Sequence, residues 1–437
     1  MLYNYFRWNK YSDQPETLSD KRFKRVIYLK GAYASLKTLL ISLFIPLIGI
    51  LRLFQRRVEM GKNINCFGLC INPDYPLPEK ISPSTEQIRQ MVDEINITNL
   101  LIRLPLADYD HKEKYFNFIE GFSDKHILIH ILQDRNHIDN PKLTKQHLRE
   151  IFSRLQHITK YFQIGNSVNR KKWAFISMDE YFNFFQIAQK LQKKEFPTIK
   201  LIGSSIIDFE LPFIARSLIH WWPIKYDGIG MQLYVDRRGA PENKQFGCDT
   251  IAKINWISSI MKISRKTVNS LWITETNWPL ANTKPYAPAF GNCMVSEEMQ
   301  TCYLVRYFLL AIASGRVSKC YWHQLIAPGY GLVDNRGLKL RKRDAYYSYK
   351  TMIKLLEGGK TISFSESTQL YRLKIENNSQ MIEAGWANNV SSKINVPKKT
   401  KILSIFGELI EADDTNQVEV SDYVIYLISD IESNKGS

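Results

Sequence analysis

The feature that most constrains this chain is a repeated alternation. Eight short apolar runs, at 66–72, 99–105, 126–132, 161–166, 199–205, 228–234, 271–276 and 318–323, are separated by longer stretches of helical period. Runs this short and this rich in Ile, Leu and aromatic residues read as strands covered on both faces. The stretches between them read as amphipathic helices. "STEQIRQMVDEI" opens with a capping signature at Ser84, and "SMDEYFNFFQIAQKLQKK" carries Tyr181, Phe182, Phe184 and Phe185 at helical spacing, a packing stripe. Eight strand–helix units predict an α/β fold, the (β/α)8 barrel, over 63–358. The rival, an open doubly wound sheet, is expected to place a glycine-rich phosphate turn after an early strand, and "CINPDYPLPEK" is not one.

After about Gly359 the period changes from helical to two. Segments such as "QLYRLKI", "MIEAGWAN" and "YVIYLIS" alternate apolar and polar residues and are separated by Asn, Ser, Gly and Lys clusters. This predicts a small antiparallel β-sandwich over 359–432.

Residues 1–62 are different again. They hold twelve Lys and Arg against four acidic residues, a net +8, so half of the formal charge of +16 lies in the first seventh of the chain. The same region contains the most apolar run, Leu39 to Leu51, with basic residues on both sides. Thirteen residues are short of the roughly 20 needed to cross a bilayer as a helix, and Pro46 and Gly49 interrupt the run. Extended to 33–54 it reaches spanning length only if Lys37 and Arg52 snorkel. Three readings follow: a segment lying in an anionic membrane surface through residues 21–57, a transmembrane anchor, or a soluble helix capping the main domain. The first is expected here. A cleavable signal peptide is not, because about thirty residues precede the apolar run and no small-residue cleavage site follows it.

The six cysteines are scattered through apolar runs, which predicts buried free thiols and a reducing compartment, hence the cytoplasmic face of the inner membrane. His126 and His130 would bind metal only on one helix turn. On a strand they stand about 13 Å apart, so no metal site and no cofactor is expected. Nucleic acid is not an expected partner, because the charge excess sits beside an apolar run without the aromatic–basic interleaving of a nucleic-acid module.

Two strand ends carry the chemistry. "LWITETNWP" is an apolar strand ending in Glu275, with Trp278 in the following turn, and "QIGNSVN" ends the fourth strand with Asn166, Ser167 and Asn169. Only the upper rim of a barrel projects several side chains into one cleft, so strand-end residues are the candidates for chemistry. Arg103 ends the second strand, Tyr234 shares a face of the sixth with Gly230 and Gln232, Trp322 closes the eighth, and His130 lies in the third.

Together these residues resemble clan A glycoside hydrolases, the superfamily of xylosidases and iduronidases, over roughly residues 65–430. The resemblance implies Glu275 as the nucleophile that attacks the anomeric carbon with retention, and Asn166 as a ligand of the sugar 2-hydroxyl. It implies Arg103 and Tyr234 as contacts of the nucleophile, Trp322 as the floor beneath the sugar ring, and Asn169 and Trp278 as further substrate-site residues; His130 is read from its own strand as a candidate wall of the substrate site. Arg103 could instead pair with a rim carboxylate such as Asp108. The implied partner is a carbohydrate, an oligo- or polysaccharide of the cell envelope.

The sequence departs from the clan at Ser167, which stands where the acid/base glutamate is expected, and at Val168, where proline is. A hydroxyl gives up its proton far too reluctantly to serve as general acid near neutral pH. Three outcomes stay open: another carboxylate such as Asp208, Glu210 or Asp236 reaches the leaving oxygen, the leaving group needs no proton, or the cleft binds glycans without cleaving them.

Overall fold

The computed structural model describes residues 5–43, 45, 58–73, 81–287 and 291–431. Eight parallel strands close into a barrel in sequence order. They are β1 (Phe67–Ile71), β2 (Asn99–Pro105), β3 (His126–Leu132), β4 (Tyr161–Ile164), β5 (Lys200–Ile207), β6 (Gly228–Gln232), β7 (Leu271–Thr276) and β8 (Val317–Trp322). β8 returns to β1 with Phe67 opposite Cys320 and Leu69 opposite Trp322, which removes every sheet edge. Helices between the strands bury their apolar faces on the barrel. The one spanning Thr85–Ile95 begins with the capping box anticipated at Ser84, its side chain and that of Gln87 each bonding the other's backbone N–H.

Strand alternation sorts side chains between the barrel axis and the outer layer. Cys70, Leu101, Leu128, Ile202, Trp272 and Tyr321 form the inner cluster, and Trp272 and Tyr321 stack at 6.3 Å. Gly68 makes room for that plug, since a Cβ there would lie 2.5 Å from the Tyr321 ring. Above this layer the inward positions turn polar, with Arg103, His130, Gln163 and Gln232 all buried.

The same alternation fixes Trp322. Tyr321 faces the axis, so its neighbour faces outward, and Trp322 is fully buried against Trp278 at 6.1 Å in the layer between strands and helices. Neither indole is among the residues lining the cleft, so Trp322 is not placed to form the expected floor beneath a sugar ring. From β8 it is the next side chain, His323, that turns toward the axis.

The helix Asp344–Leu356 completes the barrel, and antiparallel strands follow from Lys360 to Asp430 in a six-stranded sheet covered by a two-stranded one. The aliphatic residues Ala387, Ile394, Ile402, Val418, Val420, Ile425 and Leu427 fill the space between them. An ionic cluster built on the buried pair Arg306–Glu242 ties this module to the barrel. Arg306 donates to Glu242, to Asp422 and to Asn388, while the Trp386 indole donates to Glu242 at 2.7 Å. Five cysteines are buried and Cys293 is half-buried, all as free thiols.

At the other end of the chain, residues 8–15 form a tight hairpin, with Trp8 bridged to Pro15 and Asn9 N–H donating to the Gln14 carbonyl at 2.9 Å. Two helices follow, α1 (Lys21–Lys30) and α2 (Ala32–Ser42). Asp20 caps α1, and Phe23 and Ile27, four residues apart on one face, bury against Ile176. α2 packs on the helix Leu211–Leu218, and Lys37 pairs with Asp179 at 3.0 Å. Most of the apolar run 39–51, and with it the second half of the expected membrane segment, lies outside the described residues. No helix among the described residues is long and apolar enough to cross a membrane.

Candidate active site

Glu275 reaches the barrel axis because β7 is bulged. Ile273 pairs with Cys320 and Thr276 with Trp322, so two residues of β7 stand against Tyr321 alone. The extra residue re-aims the strand end, as bulges beside active sites do. The Glu275 carboxylate then receives three donors. Arg103 from β2 and Gln232 from β6 (2.7 Å) both donate to Oε2, and the Tyr234 hydroxyl donates to Oε1. Burial pushes this carboxyl up, but the charges of His323 and Arg103 and the Tyr234 hydrogen bond outweigh it and hold it below the usual glutamate range. At neutral pH it is an ionised carboxylate, largely buried and fixed in orientation by its three donors.

Gln232 is the connector of the site. Its amide donates to Glu275 and to Asn166 Oδ1 (2.6 Å), and its carbonyl accepts from Ser167 Oγ at 2.6 Å. Both amide hydrogens and the oxygen are thereby used, which locks the rotamer and links the ends of β4, β6 and β7. Ser167 sits just past β4 with φ of 43°, in the left-handed region a serine seldom adopts. Asn166 is fully buried, and its Nδ2 has no partner among the described residues.

Above these residues lies a cavity of about 180 Å³ lined by Glu275, Arg103, Ser167, Tyr234, His323 and Tyr330, among others. Of the side chains expected at the site, Glu275, Ser167, Arg103 and Tyr234 line it. Asn166 lies just beneath, joined through Gln232. His130 is deeper, donating from Nε2 to the Gly165 carbonyl at 3.1 Å, and burial drives its pKa down to about 3, so it stays neutral. Asn169 faces away: its Nδ2 donates to the Ile207 carbonyl and to Glu210, and its Oδ1 accepts from Ile207 N–H, so it staples the loop after β4 to β5. Trp278 and Trp322 remain in the outer core.

None of the carboxylates considered as replacements for the missing acid is among the described residues lining this cavity. Asp208 and Glu210 both pair with Arg170 at 2.6 Å, and Asp236 lines a neighbouring depression rather than this cavity. Asp108, the alternative partner of Arg103, instead takes His111 and Tyr115.

A residue that sequence reasoning did not single out fills the mouth. Asp13, in the turn of the N-terminal hairpin, accepts from Arg103 Nη1 (2.6 Å), from His323 Nε2 (2.9 Å) and from the Tyr330 hydroxyl. Burial acts to raise the Asp13 carboxyl, but Arg103 and His323 more than compensate and hold it far below the aspartate range. His323 moves the other way: burial and Arg103 depress it, while Glu275 and Asp13 raise it further, to about 10, so it is an imidazolium at neutral pH. For His323 the available signal was its place one residue beyond the last barrel strand. For Asp13 there was none, because 90 residues separate it from Arg103. Among the described residues no cluster of His, Cys, Asp or Glu is arranged to hold a metal.

Searched by sequence, the chain matches no protein-family model and no curated protein. Its fold is nonetheless shared with solved glycoside hydrolases. A family 39 glycoside hydrolase from the gut symbiont Bacteroides cellulosilyticus WH2 superposes with a TM-score of 0.64 at 14% identity, covering 83% of this chain and 80% of that one. A GH30 endoxylanase from Clostridium papyrosolvens C71 gives 0.57 at 10% identity, over 85% and 98% of the two chains. A GH39 β-xylosidase from Caulobacter crescentus gives 0.56 at 12%, over 86% and 98%. The likeness is one of fold: a closed eight-stranded parallel barrel of the kind these glycoside hydrolases contain.

Proposed function

We propose that this chain is a glycoside-hydrolase-like protein that takes a glycan at the rim of its barrel, with Glu275 as the carboxylate that attacks the anomeric carbon. The observation that carries this reading is the ionised Glu275, oriented by Arg103, Gln232 and Tyr234 at the base of a cavity on the face where barrel enzymes place their chemistry. Attack would form a bond from a Glu275 oxygen to the anomeric carbon as the bond to the leaving oxygen breaks, and water would then release the sugar with net retention. Ser167 replaces the proton donor. Asp13 cannot serve in its place because it is held ionised. The chemistry therefore suits leaving groups that depart without a proton.

Aryl glycosides with nitrated phenol leaving groups test this. Turnover is expected on these and lost in Glu275→Gln, while unactivated alkyl glycosides stay intact. Turnover that survives Glu275→Gln overturns the assignment.

A second reading, a catalytically inactive carbohydrate-binding or scaffold protein, is favoured by one observation: Asp13 and Glu275 are the carboxylates among the described cavity-lining residues, and both are held deprotonated. It predicts oligosaccharide binding with no turnover on the activated glycosides.

The proposal extends to location. α1 and α2 expose Tyr28, Leu29, Tyr33, Leu36 and Leu39, with Leu43 just past the end of α2, beside Lys21, Arg22, Arg25 and Lys30. Such an apolar and basic surface suits an anionic bilayer, with residues 21–57 as the contact and a cell-envelope polysaccharide as the nearby glycan.

A further inference from the structure

The hairpin 8–15 occupies the cleft in the manner of a ligand. Its Asp13 carboxylate is met by three donors from three separate parts of the rim: Arg103 on β2, His323 after β8 and Tyr330 in the loop beyond it. Arg103 Nη1 also reaches the Asp13 carbonyl at 3.2 Å. Gln14, the next residue, accepts from Lys172 Nζ at 2.6 Å. Trp8 lies edge-on to Trp173, a cavity-lining ring, at 5.7 Å, and Tyr11 lies edge-on to Tyr286 at 5.9 Å. The hairpin also divides the rim: Asp13 and Arg103 wall both the cavity over Glu275 and an adjoining one of about 320 Å³ lined by Trp8, Pro105, Tyr115 and Leu132.

The chemistry of the groups under the hairpin defines what could replace it. Arg103 and His323 are cations, and Lys172 is a further basic side chain whose described hydrogen-bond partner lies on the hairpin. Glu275 engages the other terminal nitrogen of Arg103, and Arg103 Nη1, His323 Nε2 and Tyr330 OH converge on the Asp13 carboxylate. Charge-assisted donors arranged around one carboxylate are costly to leave empty in a buried site, and a neutral hydroxyl replaces an anion poorly there. A glycan that brings its own carboxylate satisfies all three donors, and its apolar ring face can lie on Trp173 where Trp8 now does.

We infer that Arg103, His323 and Tyr330 form a carboxylate-binding subsite beside Glu275 for an acidic, hexuronate-containing glycan, and that Asp13 of the N-terminal hairpin occupies it as an internal stand-in. This deepens the reading of the rim as a glycan site and depends on it. Entry of the glycan and withdrawal of the hairpin are then one exchange, carboxylate for carboxylate.

The test uses the full-length chain and needs no turnover. Short oligosaccharides of galacturonate and of glucuronate are compared with the same oligosaccharides after reduction of their carboxyl groups to alcohols. Trypsin cleavage at Lys10, inside the hairpin, is expected to accelerate by roughly tenfold with the acidic sugars and to stay unchanged with the reduced ones, as loss of charge-assisted hydrogen bonds would give. In Asp13→Asn, affinity for the acidic sugars is expected to rise by about the same factor, with no gain for the reduced forms. No acceleration with either acidic sugar, or equal acceleration with the reduced ones, overturns the inference. Because Glu275→Gln leaves Asp13 and its donors in place, the same readouts in that variant separate failure of the subsite from failure of the nucleophile assignment.

Discussion

Arg103 holds Glu275 with one terminal nitrogen and Asp13 with the other, so a single guanidinium joins a strand-end carboxylate to a residue 90 positions earlier in the chain. Both carboxylates and the guanidinium are buried. Replacing Arg103 by Met should therefore cost on the order of 3–5 kcal/mol, because two buried anions lose their shared cation. Denaturant unfolding of Arg103→Met measures this, and adding Asp13→Asn should recover part of the loss.

His323 makes stability depend on alkaline pH. Its folded pKa of about 10 lies above the ordinary 6.5, so the folded protein binds the proton more tightly than the unfolded chain. The resulting stabilisation is complete below about pH 6.5 and is lost as pH rises through about 10. Melting temperature should fall across that window in the wild type, and the fall should be shallower in His323→Gln.

Trp322 tests the register of β8. As an outer-layer residue packed on Trp278, its replacement by Ala should cost about 3–5 kcal/mol of folding stability. Replacement by Phe should lower the melting temperature while leaving oligosaccharide affinity unchanged. Lost affinity at unchanged stability would return the ring to the cleft.

The cluster at Arg306 should govern the union of barrel and sandwich. Arg306→Met leaves Glu242 buried with only the Trp386 indole as a described side-chain donor, a loss of roughly 3–5 kcal/mol. Unfolding followed by intrinsic fluorescence should then separate into two transitions where the wild type gives one.

The N-terminal helices should bind vesicles containing phosphatidylglycerol, and binding should fall with salt. Changing Lys21, Arg22, Arg25 and Lys30 to Gln should weaken it by roughly 1 kcal/mol per charge. Equal sedimentation of wild type and variant would remove the membrane-surface proposal.

Much of this protein is local in origin. The eight apolar runs, the capped helix at Ser84 and the switch to two-residue alternation after Gly359 are patterns of neighbouring residues, and they specified a closed barrel followed by antiparallel strands because periodicity dictates which face each element must bury. The placement of Glu275 and Arg103 near the C-terminal ends of their strands was legible for the same reason, because the strand ends of a barrel converge. Tertiary structure decided what periodicity cannot. A bulge in β7 turned Glu275 toward the axis, and a one-residue parity at β8 sent Trp322 outward and brought His323 inward. Asp13 carried no local sign at all. Its role comes from a hairpin folding across the barrel mouth, where burial makes opposite charges seek each other whatever their distance along the chain.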